Sequence, residues 1–285
     1  MMLNPIIRRE IKTSLRSWKM FLAIALYTLV VSGAAIIFIN AITSGVYSTM
    51  NLRELSILYA VLGFMQFGMT MILIPALTAG SISGERERQT LDILLVTKMK
   101  PLSIIWGKMV SSIGIFILMM ISTLPVFAIT FFWGGLSFVN VIITEVYMII
   151  ISAMAGSIAI FFSTFFKKTV ASMVLTYMVL GLFCFGTLII SFIYIAYYNS
   201  IYMESPSITT IFMINIANPG VGFATLMDKQ LGTDIVMSFF GYWQDKNNIL
   251  EFFCKYFWII NMFVNIIITF LFMLLASLRL RKTNE

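Results

Sequence analysis

Six stretches of this chain are each long and apolar enough to cross a lipid bilayer, and no other feature constrains the fold as tightly. A hydrocarbon core of about 30 Å takes roughly 20 helical residues at about 1.5 Å each. Residues 20–39, 57–79, 109–132, 141–164, 170–197 and 256–278 meet that length. Each must be helical, because lipid offers no partner for the bare backbone groups of an open strand or loop. Composition agrees. The chain is 60% apolar and 11% charged, whereas a soluble domain carries about 25% charged residues. A soluble sphere of 285 residues with so few polar groups could not cover its surface. The fold class expected is an all-α integral membrane protein, one transmembrane domain over residues 1–285.

The same composition removes several chemistries. Without a single His, a Ser-His-Asp triad and His-ligated zinc are excluded. Two Cys, at 184 and 254, cannot build a cysteine metal cluster or a disulfide framework. A phosphate-binding loop is missing as well. Gly107-Lys108 is followed by Met109, and Leu102 stands where GxxxxGK needs its first glycine. No catalytic residue, metal site or cofactor is expected in this chain. If ATP and Mg are used, a separate subunit holds them.

Charge sets the expected orientation. With the N-terminus inside, the inner side carries 15 of the 19 Lys and Arg against 5 acids, and the outer side 4 against 7. An inner excess of Lys and Arg is the normal bias of membrane proteins, so both termini are expected in the cytosol. The net charge of +7 is then a matter of topology and calls for no nucleic acid. Aromatic residues follow suit. Trp133, Tyr194, Tyr197, Tyr198, Tyr256 and Trp258 fall at outer ends, Trp18 and Trp106 at inner ends. The first span is expected to be retained, since its apolar run is long for a signal peptide and a basic segment precedes it.

Four pieces lie outside the spans. In residues 4–19, Ile7, Ile11, Leu15 and Trp18 recur at helical spacing while Arg8, Arg9, Lys12, Arg16 and Lys19 lie off that stripe. This pattern is a helix lying flat in the inner interface, the alternative being a loose basic tail. Residues 80–108 hold 8 of the 31 charged residues. Within them Glu85 and Glu87 come first and Lys98 and Lys100 last, in the order a helix dipole favours. Gly84 and Pro101 punctuate the run, Arg88 and Asp92 have i,i+4 spacing, and Leu91, Leu94 and Leu95 make an apolar ridge. An amphipathic cytosolic helix is expected at 84–97. Lys167-Lys168 forms a tight turn. The fourth piece is the outer segment 198–255, where Asn218-Pro219-Gly220 interrupts the apolar stretch 208–227. Those residues are expected as short helices that dip into the outer leaflet or cap the bundle.

Polar groups inside the spans are few. Glu145 is read either as a helix-start acid at headgroup level or as part of an ion path. Asn261 and Asn265 share a helix face and serve as interhelical hydrogen-bond glue or as a substrate contact. Gln66, Thr70 and Thr187 are candidate substrate-path residues. Gly80, Gly84, Gly63 and Gly68 allow close helix contact or bending. The 21 Met and 26 Phe suit either a permissive greasy path or lipid-facing filler.

The run Gly84-Glu85-Arg86-Glu87-Arg88-Gln89-Thr90-Leu91-Asp92-Ile93-Leu94-Leu95, followed by Pro101-Leu102 and Gly107-Lys108, resembles the signature of ABC-2 type permeases, the membrane subunits of ABC exporters with the type V fold. The basic N-terminal helix, six spans and long outer segment extend the resemblance over nearly the whole chain. The departures are Gln89, where the family usually has Gly, and Lys98, where Pro is usual. The resemblance implies that 84–97 is a coupling helix seated in a cytosolic ABC ATPase. Glu85, Arg86, Glu87, Arg88, Thr90 and Asp92 would serve this contact, with Leu91 and Leu94 supplying apolar groups. It further implies a connecting helix carrying Arg8, Arg9, Lys12, Arg16 and Trp18, re-entrant helices in 198–255, and a second permease, identical or homologous, to complete the path.

The function expected is therefore the permease subunit of an ATP-driven exporter in the plasma (inner) membrane, handling efflux of a hydrophobic or amphipathic peptide, lipid or drug. The Ile-, Met- and Lys-rich usage is associated with AT-rich bacterial genomes. An ATP-independent carrier or membrane scaffold is the alternative. A lipid-modifying enzyme would need clustered acids or His near a headgroup plane, which the chain lacks.

Overall fold

The computed structural model describes residues 10, 12, 16–43, 52–90, 101–132, 137–204, 206–240 and 248–282. All regular structure among them is helical, and six helices are long and apolar enough to cross a membrane. The protein is thus a multi-pass helical membrane protein. In chain order the helices are α1 (Trp18–Thr43), α2 (Leu52–Thr78), α3 (Ser83–Glu87), α4 (Pro101–Phe132), α5 (Phe138–Phe165), α6 (Thr169–Gly181), α7 (Thr187–Tyr202), α8 (Ile208–Ile214), α9 (Pro219–Leu231), α10 (Ile235–Phe239) and α11 (Asn248–Lys282). Spans one to four are α1, α2, α4 and α5. The fifth is Thr169–Tyr202, with a π-helical turn at Leu182–Gly186, and the sixth is α11. The helices overrun the expected spans at nearly every end. The largest differences are at the starts of spans three and six, Pro101 rather than 109 and Asn248 rather than 256; at the former, proline's fixed φ suits a first helical turn.

The chain forms two compact units, residues 1–176 with 269–285, and residues 177–268. In the first, α5 is the centrepiece, packed by α2 and α4, while α1 lies on α4 and α2. The sequence explains why α5 sits inside. Ser152, Ala155, Gly156, Ser157, Ala159 and Ser163 are all buried, and small side chains let membrane helices approach closely. A Cβ on Gly156 would stand 3.5 Å from Ile74 Cγ2. The hydroxyls bring no orphan donors: Ser152, Ser157 and Thr164 donate to carbonyls three residues earlier. Between helices, Tyr59 Oη and Thr144 Oγ1 lie 2.6 Å apart, and Thr28 and Ser122 2.8 Å apart.

The second unit is built around the break at Asn218-Pro219-Gly220. Helices α8 and α9, of 7 and 13 residues, are too short to span a bilayer, as expected of 208–227. Asn218 Oδ1 accepts from Gly220 N and Val221 N, Pro219 is the first helical residue, and Gly232 at φ +65° ends the helix. These are the usual start and stop devices of a helix. The π turn departs from the regular helical ladder, and within it the Cys184 carbonyl accepts from Asn218 Nδ2 at 2.9 Å. Asn218 Nδ2 also reaches Thr187 Oγ1 at 2.7 Å. Asn261 Nδ2 donates to the carbonyls of Ile216 and Asn218, and Asn265 Nδ2 to Asn261. Both asparagines are fully buried; Asn261 bonds across to the 216–218 break, and Asn265 bonds back to Asn261 within its own helix. Further along, Asp228 accepts from Thr233 Oγ1, Ile235 N and Val236 N. Burial pushes its carboxyl above the ordinary carboxylate range, although those bonds pull the other way.

Candidate functional site

The polar loop after span two begins with a turn that the turn between spans four and five engages through both backbone and side-chain groups. Ser163 Oγ, on the last turn of α5, accepts from Ile82 N at 3.0 Å and Ser83 N at 2.9 Å. Arg86 donates to the carbonyls of Thr164 at 3.2 Å and Phe166 at 3.4 Å. Glu87 accepts from Thr169 N at 2.8 Å and from Thr169 Oγ1 at 2.9 Å. A helix leaves its last carbonyls and first N–H groups without internal partners. Arg86 serves those carbonyls for span four, and Glu87 serves an N–H for span five, where a negative charge is also favoured. Gly80 makes room for the contact: a Cβ there would lie 3.1 Å from Thr169 Cγ2.

Glu85 faces a different element. Its Oε1 lies 2.7 Å from Lys108 Nζ, and the same nitrogen is 3.0 Å from Glu10 Oε1. Ser111 Oγ donates to the other Glu10 oxygen at 2.5 Å. Lys108 is only 3% exposed. The Glu85 of the charged run and the Lys108 of the Gly-Lys pair, 23 positions apart, are thus one ion pair, which the N-terminal segment completes through Glu10. Below it, Ile82, Ile105, Met109, Ile160, Met273, Ala276 and Leu280 form one buried cluster, and Arg279 stacks over the Phe165 ring at 4.9 Å. The N-terminal segment, the loop after span two, the 166–168 turn and the end of span six therefore share one end of the first unit.

Of the helix expected at 84–97, the described residues are 84–90, and these do not run as one helix. Helix α3 closes at Glu87, and Gln89 adopts φ +57°. This left-handed conformation costs an L-residue about 1–2 kcal/mol and glycine almost nothing. It is the position at which the resembled signature carries Gly. Arg88, Gln89 and Thr90 are exposed. Leu91, Asp92 and Leu94 lie outside the described residues, as do Arg8 and Arg9. Of the other N-terminal candidates, Lys12 and Arg16 are exposed, and Trp18 opens α1 rather than closing a separate interfacial helix.

The candidate path residues are divided between the two units. Gln66 and Thr70 are fully buried in the first unit. Gln66 Nε2 donates to Glu145 Oε2 at 3.0 Å, and Thr70 Oγ1 lies 3.9 Å from Met148 Sδ. They join span two to span four. Glu145 thus turns into the bundle toward Gln66. Thr187 belongs to the second unit and accepts from Asn218. Sequence reasoning missed Glu10, Ser163 and Thr169 as partners of the loop. No spacing links them to it, since 80 or more residues separate Ser163 and Thr169 from their contacts.

A family model for ABC-2 family transporter proteins matches residues 4–283. The chain belongs to that family. A comparison with curated proteins finds no match. Family membership accords with the six candidate spans and gives the polar loop of this ABC-2 protein its context: a transporter's membrane component, working with an ATPase.

Proposed function

We propose that this ABC-2 family protein is the permease subunit of an ATP-driven exporter. Two permeases, identical or homologous, line the path, and ATP with Mg is held by a separate cytosolic ATPase. The N- and C-termini face the cytosol of a bacterial cell, and the cargo leaving through the plasma membrane is hydrophobic or amphipathic. The supporting observation is the convergence, at one end of the first unit, of the N-terminal segment, the loop after span two, the 166–168 turn and the end of span six. Most of the chain's Lys and Arg lie on these elements, as on a cytosolic face. From that end Arg88, Gln89 and Thr90 project exposed, leading into the leucine ridge at 91–95. Since Glu85, Arg86 and Glu87 have partners within the chain, ATPase contact falls on Arg88 and the residues after it.

Copurification tests the reading. The intact chain retains a cytosolic ABC ATPase, and Arg88→Glu with Leu91→Asp releases it while leaving the permease in the membrane. Retention by the double variant would remove the loop as the docking surface. Reaction of a membrane-impermeant label with Arg88→Cys from outside intact cells would remove the reading altogether.

A further inference from the structure

Resting on the permease reading, we infer that the 79–87 turn and the 163–169 turn move as one body, so that work arriving at the loop is delivered directly to the end of span four and the start of span five. Covalent continuity alone would send it only into spans two and three. Three observations carry the inference. First, the bonds between the turns engage groups that cannot be released cheaply. Ser163 Oγ holds two backbone N–H groups in a fully buried setting, and Arg86 and Glu87 hold helix-end groups of spans four and five. Separation would strand the N–H groups of Ile82 and Ser83, which are buried away from water, and would leave the span-end groups held by Arg86 and Glu87 to solvent. Second, the surfaces are in close contact. Gly80 leaves only 3.1 Å to Thr169 Cγ2, and Ser83 and Ser163 hydroxyls lie 3.2 Å apart. Third, the conformational break comes after this contact, at left-handed Gln89, so a pull on the residues beyond it reaches an already clasped turn. Arg86 and Glu87 are positioning residues in this scheme: they clasp span ends, and the ATPase is held further along the loop.

The test uses the full permease in lipid nanodiscs with its copurifying ATPase, Cys184 and Cys254 being replaced by Ser. Nitroxides at Leu77→Cys and Val170→Cys flank the Gly80–Thr169 contact, and both sites are exposed and away from the docking residues. Continuous-wave EPR reads their mutual broadening with and without a non-hydrolysable ATP analogue. The expected result is broadening that nucleotide leaves unchanged. In parallel, Glu87→Gln with Thr169→Val should keep the ATPase bound but lower permease-stimulated hydrolysis severalfold. A disulfide between Ser83→Cys and Ser163→Cys in that background should restore it, a rescue that a purely structural role would not give. Broadening lost on nucleotide binding, or a disulfide that blocks hydrolysis and is relieved by reductant, overturns the inference while an assembled, stimulated ATPase leaves the permease reading standing. If no ATPase assembles, that reading fails and takes the inference with it.

Discussion

Lys108→Met isolates the ion pair that ties the loop to span three. Lys108 is 3% exposed, and its nitrogen lies 2.7 Å from Glu85 and 3.0 Å from Glu10, whose side chains are 25% and 29% exposed. Removing the cation deletes two charged hydrogen bonds, each worth about 1.5–3 kcal/mol net. It also leaves two carboxylates within about 6 Å of each other, a repulsion of about 3 kcal/mol at an effective dielectric of 20. Breaking a buried pair from one side costs about 3–5 kcal/mol. Because both acids are partly open to water, screening lowers that figure, and we expect a loss of about 2–4 kcal/mol. The assay is thermal unfolding of the detergent-purified protein, followed by the fluorescence of its 5 tryptophans. Trypsin cleavage at Lys12 and Arg16 reports release of the N-terminal segment. Adding Glu10→Gln and Glu85→Gln to Lys108→Met should recover at least half of the loss, since the remaining cost is packing rather than stranded charge. A Lys108→Met protein that melts with the wild type and keeps its N-terminal segment protected would refute the assignment.

Other consequences follow from single residues. Gln89→Gly should stabilise the protein by roughly 0.5–1 kcal/mol, the left-handed strain removed less the entropy of glycine, seen as a raised melting temperature; Gln89→Val should lower it. Gln66→Leu strips Glu145 of its hydrogen bond inside the bundle and should cost about 1.5–3 kcal/mol, most of it regained on adding Glu145→Leu, in the same melts. Asn218→Ala removes a helix cap and two interhelical bonds together and should cost about 2–4 kcal/mol, with faster hydrogen exchange at Gly220 and Val221. Because burial raises the Asp228 carboxyl, its contribution to stability is full below the ordinary carboxylate range and falls as pH rises through the raised value; Asp228→Asn should flatten that part of an acidic melting profile.

Features that depend on local composition can be read from the residues alone. Twenty apolar residues in a row admit one answer in lipid, so the six spans are legible without coordinates. Asn218-Pro219-Gly220 likewise announces a helix start, because cap, fixed φ and turn chemistry act within a few residues. The charged run after span two marks a loop with work to do, and its Gly-Lys sequel marks it as an ABC-2 signature. The pairings were beyond that reach. Arg86, Glu87 and Glu85 look like solvent-facing charges on a helix, and only the fold brings Thr164, Phe166, Thr169 and Lys108 against them. The partners of Gln66 and Thr70 were equally hidden, since a polar side chain in an apolar run carries no mark of which neighbour it will meet. Tertiary structure decided these because a hydrogen bond or ion pair acts over about 3 Å in space and is indifferent to the 80 residues between its partners in the chain.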